Sequence, residues 1–151
     1  MVIATWFGAG RLPWAPGSWG SLAALPFAWA IAALFGLRAL AIAAALLFAA
    51  GWWAAEQVTS ASGVKDDGAI VVDEVAGQWL TLCVAPLDPL AYLAGLLLFR
   101  LFDIAKPWPA RWADREVAGG LGVMLDDVIA GIYAGASLFV LLRVVGPVLG
   151  G

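Results

Sequence analysis

The sequence predicts an all-α integral membrane protein: a compact bundle of about five hydrophobic helices, two of them short and central, with an interfacial amphipathic helix. Three observations predict it. Apolar residues make up 64% of the 151 and charged residues only 13%, with a mean hydropathy of +0.94. A soluble domain is nearer about 45–50% apolar and about 25% charged, so a soluble fold of this composition would lack the polar residues to cover its surface. A bilayer removes that requirement. The apolar residues also fall into five runs, and the charged residues lie almost entirely to one side of them. The length suits one domain spanning residues 1–151.

The first run covers about Ser18 to Phe35 and the second about Leu37 to Ala55. The third covers Ile70 to Ala85, the fourth Leu90 to Ala105 and the fifth Asp127 to Val145. A spanning helix needs about 20 residues, so runs one, two and five qualify. Runs three and four are short and meet at the turn Ala85-Pro86-Leu87-Asp88-Pro89. They are expected to thin the bilayer locally or to form a hairpin between the longer helices. Residues Pro109 to Val117 (PARWADREV) read as the amphipathic helix lying on the inner surface. Gly131 and Gly135 form a GxxxG pair that suits helix packing in lipid.

Basic residues set the expected orientation. With the N-terminus in the cytoplasm, Arg11, Lys65, Arg100, Lys106, Arg111 and Arg115 fall inside, and only Arg38 and Arg143 outside. The same topology puts every acid except Asp88 on or near the inner side. Acids contribute little to the positive-inside rule, so their gathering needs another cause. Trp6, Trp14, Trp19, Trp108 and Trp112 lie in the same belt, the depth tryptophan prefers.

Absences narrow the chemistry. The chain has no histidine and one cysteine, Cys83. That excludes a Ser-His-Asp triad, a histidine base, His-ligated zinc and any intrachain disulfide. Cys83 reads as a small packing residue. What remains is oxygen chemistry. Asp73 and Glu74 sit about one turn inside run three, Asp103 near the inner end of run four, and Asp126 and Asp127 at the opening of run five; Glu56 closes run two and Asp66 and Asp67 follow it. Taken singly, Asp126 or Asp127 reads equally well as an N-cap. As a set, the acids outnumber the bases near them, and a carboxylate at this depth is costly unless paired or bound to a cation. Oxygen-only ligation points to Mg²⁺.

Two further features suit phosphate. Lys106 follows Asp103 by three residues, so both are expected on one side of the helix end. Arg11 lies in the Gly/Pro-rich stretch from Gly8 to Ser21 that leads into run one, and such a loop before a helix N-terminus presents N–H groups to an anion. Carboxylates, a hard cation, a few bases and a helix N-terminus at one interface describe phosphoryl transfer.

Four stretches together resemble the phosphatidylglycerophosphatase A family of bacterial phospholipid synthesis. They are PGSWGS at 16–21, DDGAIVVDE at 66–74, FRLFDIAKPWP at 99–109 and GGLGVMLDD at 119–127. The resemblance implies Mg²⁺-dependent hydrolysis of phosphatidylglycerophosphate to phosphatidylglycerol and phosphate, a step towards cardiolipin. It implies a multi-pass protein of the bacterial inner membrane with its site facing the cytoplasm, a lipid substrate and no nucleic-acid partner. Carried over by position, Asp73, Glu74, Asp103 and Asp127 are catalytic, and Ser18 and Lys106 bind the phosphate, with Arg11 added from the loop before run one. The metal ligands come from Asp73, Glu74, Asp103, Asp126 and Asp127 with Asp66 or Asp67. The family often has Thr where this chain has Ser18, which keeps a hydroxyl.

Rival readings are weaker. The signature of phosphotransferases that use CDP-diacylglycerol needs D-G-x-x-A-R, whereas Asp67-Gly68 here is followed by Ala69-Ile70-Val71-Val72. The D-x-D-x-T/V signature of phosphatases that form an aspartyl-phosphate is also absent. A divalent-cation transporter or channel would need its acids near the bilayer midplane rather than at one interface.

Overall fold

The computed structural model describes residues 2–63 and 68–149. The described residues form six α-helices and no strand: α1 (Pro16–Phe35), α2 (Leu37–Ser62), α3 (Val72–Leu82), α4 (Pro89–Ala105), α5 (Ala110–Glu116) and α6 (Gly119–Leu149). Helices α1, α2 and α6 are long and apolar enough to cross a membrane, as their runs predict. Large apolar side chains such as Leu34, Phe35, Ile42, Leu46, Leu97 and Val140 point outward, where lipid rather than water would meet them.

Helix α3 has nine of its eleven residues buried and packs against α6, α2 and α1. At 1.5 Å per residue it rises only about 16 Å, half of the roughly 30 Å hydrocarbon core. It is therefore an internal helix walled by the longer ones. Small residues make this close packing possible. Ala24, Ala28 and Ala32, four apart on α1, are all buried and lie in one cluster with Trp79 and Leu82 of α3. The Trp79 indole donates to the Ala24 carbonyl at 3.0 Å. A Cβ on Gly131 would stand 2.5 Å from the Gly77 carbonyl oxygen, so α6 and α3 touch backbone to backbone there. On Gly135 it would meet nothing nearer than 3.6 Å. Of the GxxxG pair, only Gly131 is demanded by a close approach, and the contact lies within the chain.

Several boundaries differ from the sequence expectation, each for a local reason. Helix α2 continues to Ser62, so Glu56 lies within it instead of closing it. Helix α6 begins at Gly119 and not at Asp127, which places Asp126 and Asp127 about two turns inside a helix and ends their reading as N-caps. Glu56 caps the new helix: its Oε2 accepts from the Gly120 N–H at 2.6 Å. A side chain at Gly120 would collide with the backbone of α2, 2.4 Å from the Glu56 nitrogen. Helix α4 starts as expected, with Asp88 accepting from the Ala91 N–H at 2.8 Å. The amphipathic α5 falls within the predicted 109–117.

The N-terminal segment folds back across the start of α3. The Ala4 carbonyl accepts from both Val71 and Val72 N–H, at 2.8 and 3.1 Å, satisfying donors that a helix start leaves open. Trp6 seats edge-on against Trp79 and Phe27.

Candidate active site

The starts of α1, α3 and α6 and the end of α4 meet at one end of the bundle, around an open cavity of about 360 Å³. At about 30 Å³ per water it has room for a phosphoryl group with several waters. Its wall includes Asp73, Glu74, Asp103, Asp126, Asp127, Lys106 and the α1 residues Pro16 and Gly17. Two charged residues that the sequence did not single out, Arg100 and Asp114, line it too.

At the back of the cavity, Asp73, Glu74 and Asp127 each offer a carboxylate oxygen, and these three oxygens lie within 4.8 Å of one another. Asp73 is 9% exposed and Asp127 3%. Each of the three also keeps a buried oxygen with no hydrogen-bond partner: Asp73 Oδ1, Glu74 Oε2 and Asp127 Oδ2. Buried acceptors are almost always satisfied, so a cluster of three carboxylates with an unsatisfied oxygen apiece leaves a place for a cation. Close packing puts them there. A Cβ on Gly77 would stand 2.5 Å from the Asp127 carbonyl oxygen, and one on Gly17 2.1 Å from Glu74 Oε1. Glycine at these points lets α6 and α1 close on α3.

The remaining acids are paired. Asp126 receives the Lys106 ammonium at 2.7 Å and Asp114 shares it at 3.0 Å. Burial works against the charge on Lys106, but the hydrogen bond and attraction from Asp126, helped by Asp114, outweigh it, so its pKa is raised. Asp103 is hydrogen-bonded to Arg100, whose guanidinium also stands 3.9 Å from Glu74. Lys106 does not pair with Asp103 as a helical i,i+3 spacing would suggest. It adopts a left-handed conformation at the end of α4, with φ 44°, and this turns its side chain off the helix face towards α5 and α6.

Arg11 and Ser18 are not brought to the cavity. Arg11 is exposed and lines a separate recess with Val2 and Phe7. Left-handed Trp14 and Ala15 bend the loop so that Gly17 faces the cavity while Ser18 is exposed. Asp66 and Asp67 lie outside the described residues. Arg100 was legible as a base three residues before Asp103 on the same helix; Asp114 had no signal beyond its place in the amphipathic helix.

The family described as phosphatidylglycerophosphatase A matches residues 2–142. A phosphatidylglycerophosphatase A of Escherichia coli (strain K12) is 39% identical over 139 residues, which cover 91% of this chain and 80% of that protein. One from Haemophilus influenzae is 40% identical over 139 residues, 91% of this chain and 85% of that protein. A Bacteroides thetaiotaomicron protein, provisionally named a phosphatidylinositol-3-phosphatase, is 40% identical over 157 residues, 99% of this chain and 95% of that protein. No solved structure matches the chain.

Proposed function

The chain belongs to the phosphatidylglycerophosphatase A family, and from that premise we propose that it hydrolyses the terminal phosphomonoester of phosphatidylglycerophosphate with Mg²⁺ at the cytoplasmic leaflet. The observation that carries the metal is the Asp73–Glu74–Asp127 triad with its three unpartnered buried oxygens. All-oxygen, carboxylate-rich donors fit a hard divalent cation, and these three residues would hold it. When bound, Mg²⁺ neutralises charge on the phosphoryl oxygens and lowers the pKa of nearby water.

The chain's own residues do the rest. The start of α1 at Pro16 and Gly17 borders the cavity and offers the positive end of a long helix to an anionic phosphate. Arg100 supplies a planar guanidinium suited to phosphoryl oxygens. Lys106, with its raised pKa, is a poor proton donor; its part is electrostatic, and Asp126 and Asp114 aim it. Asp103, on the cavity wall and outside the triad, is assigned the proton of the attacking water. The water oxygen attacks phosphorus in line, the bond from phosphorus to the terminal glycerol oxygen breaks, and that oxygen takes a proton from solvent. The products are phosphatidylglycerol and inorganic phosphate. The cytoplasmic placement is supported by the six basic residues on this side against two on the other.

Release of phosphate from phosphatidylglycerophosphate by the detergent-purified protein, with Mg²⁺ and then with EDTA, tests the reading. EDTA-sensitive release is expected. Mg²⁺ binding without phosphate release would turn the site into a cation site of another kind. The name of the Bacteroides relative makes phosphatidylinositol-3-phosphate the comparison substrate, and faster turnover of it would reassign the lipid.

A further inference from the structure

Beside the acidic cavity lies a second recess of about 420 Å³, lined by Pro107, Trp108, Arg111, Trp112, Arg115 and Glu116 and sharing Lys106 with the first; its three cations outnumber its one carboxylate. Arg111 and Arg115 are four apart, on one face of α5. Both are exposed and neither forms an ion pair with a described residue. Asp114, between them in sequence, holds the Lys106 ammonium at 3.0 Å. Trp108 and Trp112 are 77% and 49% exposed, and such rings prefer headgroup depth. Nor is this helix a loose surface anchor. Ala110 and Ala113 are fully buried, and the Tyr133 hydroxyl on α6 donates to the Trp108 carbonyl at 2.9 Å.

We propose that this recess binds the internal phosphodiester of the lipid whose terminal phosphate enters the acidic cavity. The inference rests on the phosphatase reading above. A lipid with a phosphodiester and a phosphomonoester joined by one glycerol needs two anion sites with a common wall, and Lys106 is that wall. Guanidinium forks suit phosphate oxygens, and the indoles suit the glycerol and the first methylenes. The recess thereby selects a lipid with two phosphates over phosphatidic acid, which has only the terminal one. It also retains phosphatidylglycerol after reaction, because the product keeps the diester.

The test uses the full chain in uncharged detergent micelles, where no anionic surface exists for a basic helix to dock on. The variants are R111Q/R115Q and, to keep charge while losing the fork, R111K/R115K. For R111Q/R115Q, kcat/KM on phosphatidylglycerophosphate is expected to fall about tenfold or more, chiefly through KM. Its preference over phosphatidic acid should shrink by the same factor, and inhibition by added phosphatidylglycerol should weaken. R111K/R115K should fall between. An undiminished preference together with undiminished product inhibition overturns the proposal. So does an equal loss on both lipids, which marks a role in folding. A wild-type protein that cleaves neither lipid overturns the phosphatase reading itself, a result distinct from either.

Discussion

Two groups of carboxylates share one cavity wall under opposite conditions. Around Lys106, Asp126 and Asp114 are satisfied by a shared ammonium at 2.7 and 3.0 Å. Beside them, Asp73, Glu74 and Asp127 cluster with an unpartnered oxygen apiece, and among the described residues Arg100, 3.9 Å from Glu74, is the cation paired with this group. Helix α6 serves both groups with adjacent residues: Asp126 goes to the lysine and Asp127 to the triad. A paired carboxylate holds a side chain in place. An unpaired buried one is a cost, which a bound cation would relieve.

Separating the two groups by mutation gives the largest expected effect at Asp127. Asp127→Asn should lower phosphate release by on the order of 10³. It should also abolish any rise in melting temperature on adding Mg²⁺, while the metal-free protein melts no lower than wild type, because a repelling charge has gone. A metal-free melting temperature well below wild type would show that Asp127 is structural, and the contrast would fail. Asp126→Asn should do the reverse. Stability should drop by about 1–3 kcal/mol and activity about tenfold as Lys106 loses its main anchor, with the Mg²⁺-induced shift kept. Because the Lys106 pKa is raised, its pairing is fully present below the unfolded value of about 10.4 and is lost only as pH rises through the folded one. The stability difference between Asp126→Asn and wild type should therefore stay flat from about pH 7.5 to 9; a slope in that range would implicate another group. The smallest effects separate two glycines. Gly77→Ala drives a methyl against the Asp127 carbonyl and Phe99 and should cost about 1–3 kcal/mol, weakening Mg²⁺ binding with it. Gly135→Ala, with 3.6 Å of clearance, should stay within about 0.5 kcal/mol in a thermal melt.

Much of this was legible in the sequence, because in lipid the hydrophobic run and the depth of a charge carry direct physical meaning. The three long helices, the short internal α3 and the amphipathic α5 follow from run length and composition. The gathering of Asp73, Glu74, Asp103, Asp126 and Asp127 at one end follows from their positions in those runs. Partner choice was not legible. Lys106 looks paired with Asp103 by spacing, yet one left-handed residue sends it to Asp126 and Asp114. The run that opens at Asp127 misses the first two turns of α6, where Gly120 is small so that the helix can start against α2. Arg11 carries the right charge in a suggestive loop, but the turn at Trp14 and Ala15 spends the approach on Gly17. Each of these depends on a backbone dihedral or an interhelical contact, which no periodicity encodes.

The Ala4 carbonyl at the start of α3 and Asp127 in α6 have a consequence for the order of assembly. The first residues of the chain brace the start of α3, which carries two carboxylates of the triad, and the last helix supplies the third. A half-made chain therefore holds Asp73 and Glu74 without Asp127. The crowding of negative charge arises only when α6 docks, and the packing of α6 on α2, α3, α4 and α5 forms with it to oppose the repulsion. Contacts this distant in sequence form late, so the most repulsive part of the protein is also the last to be built.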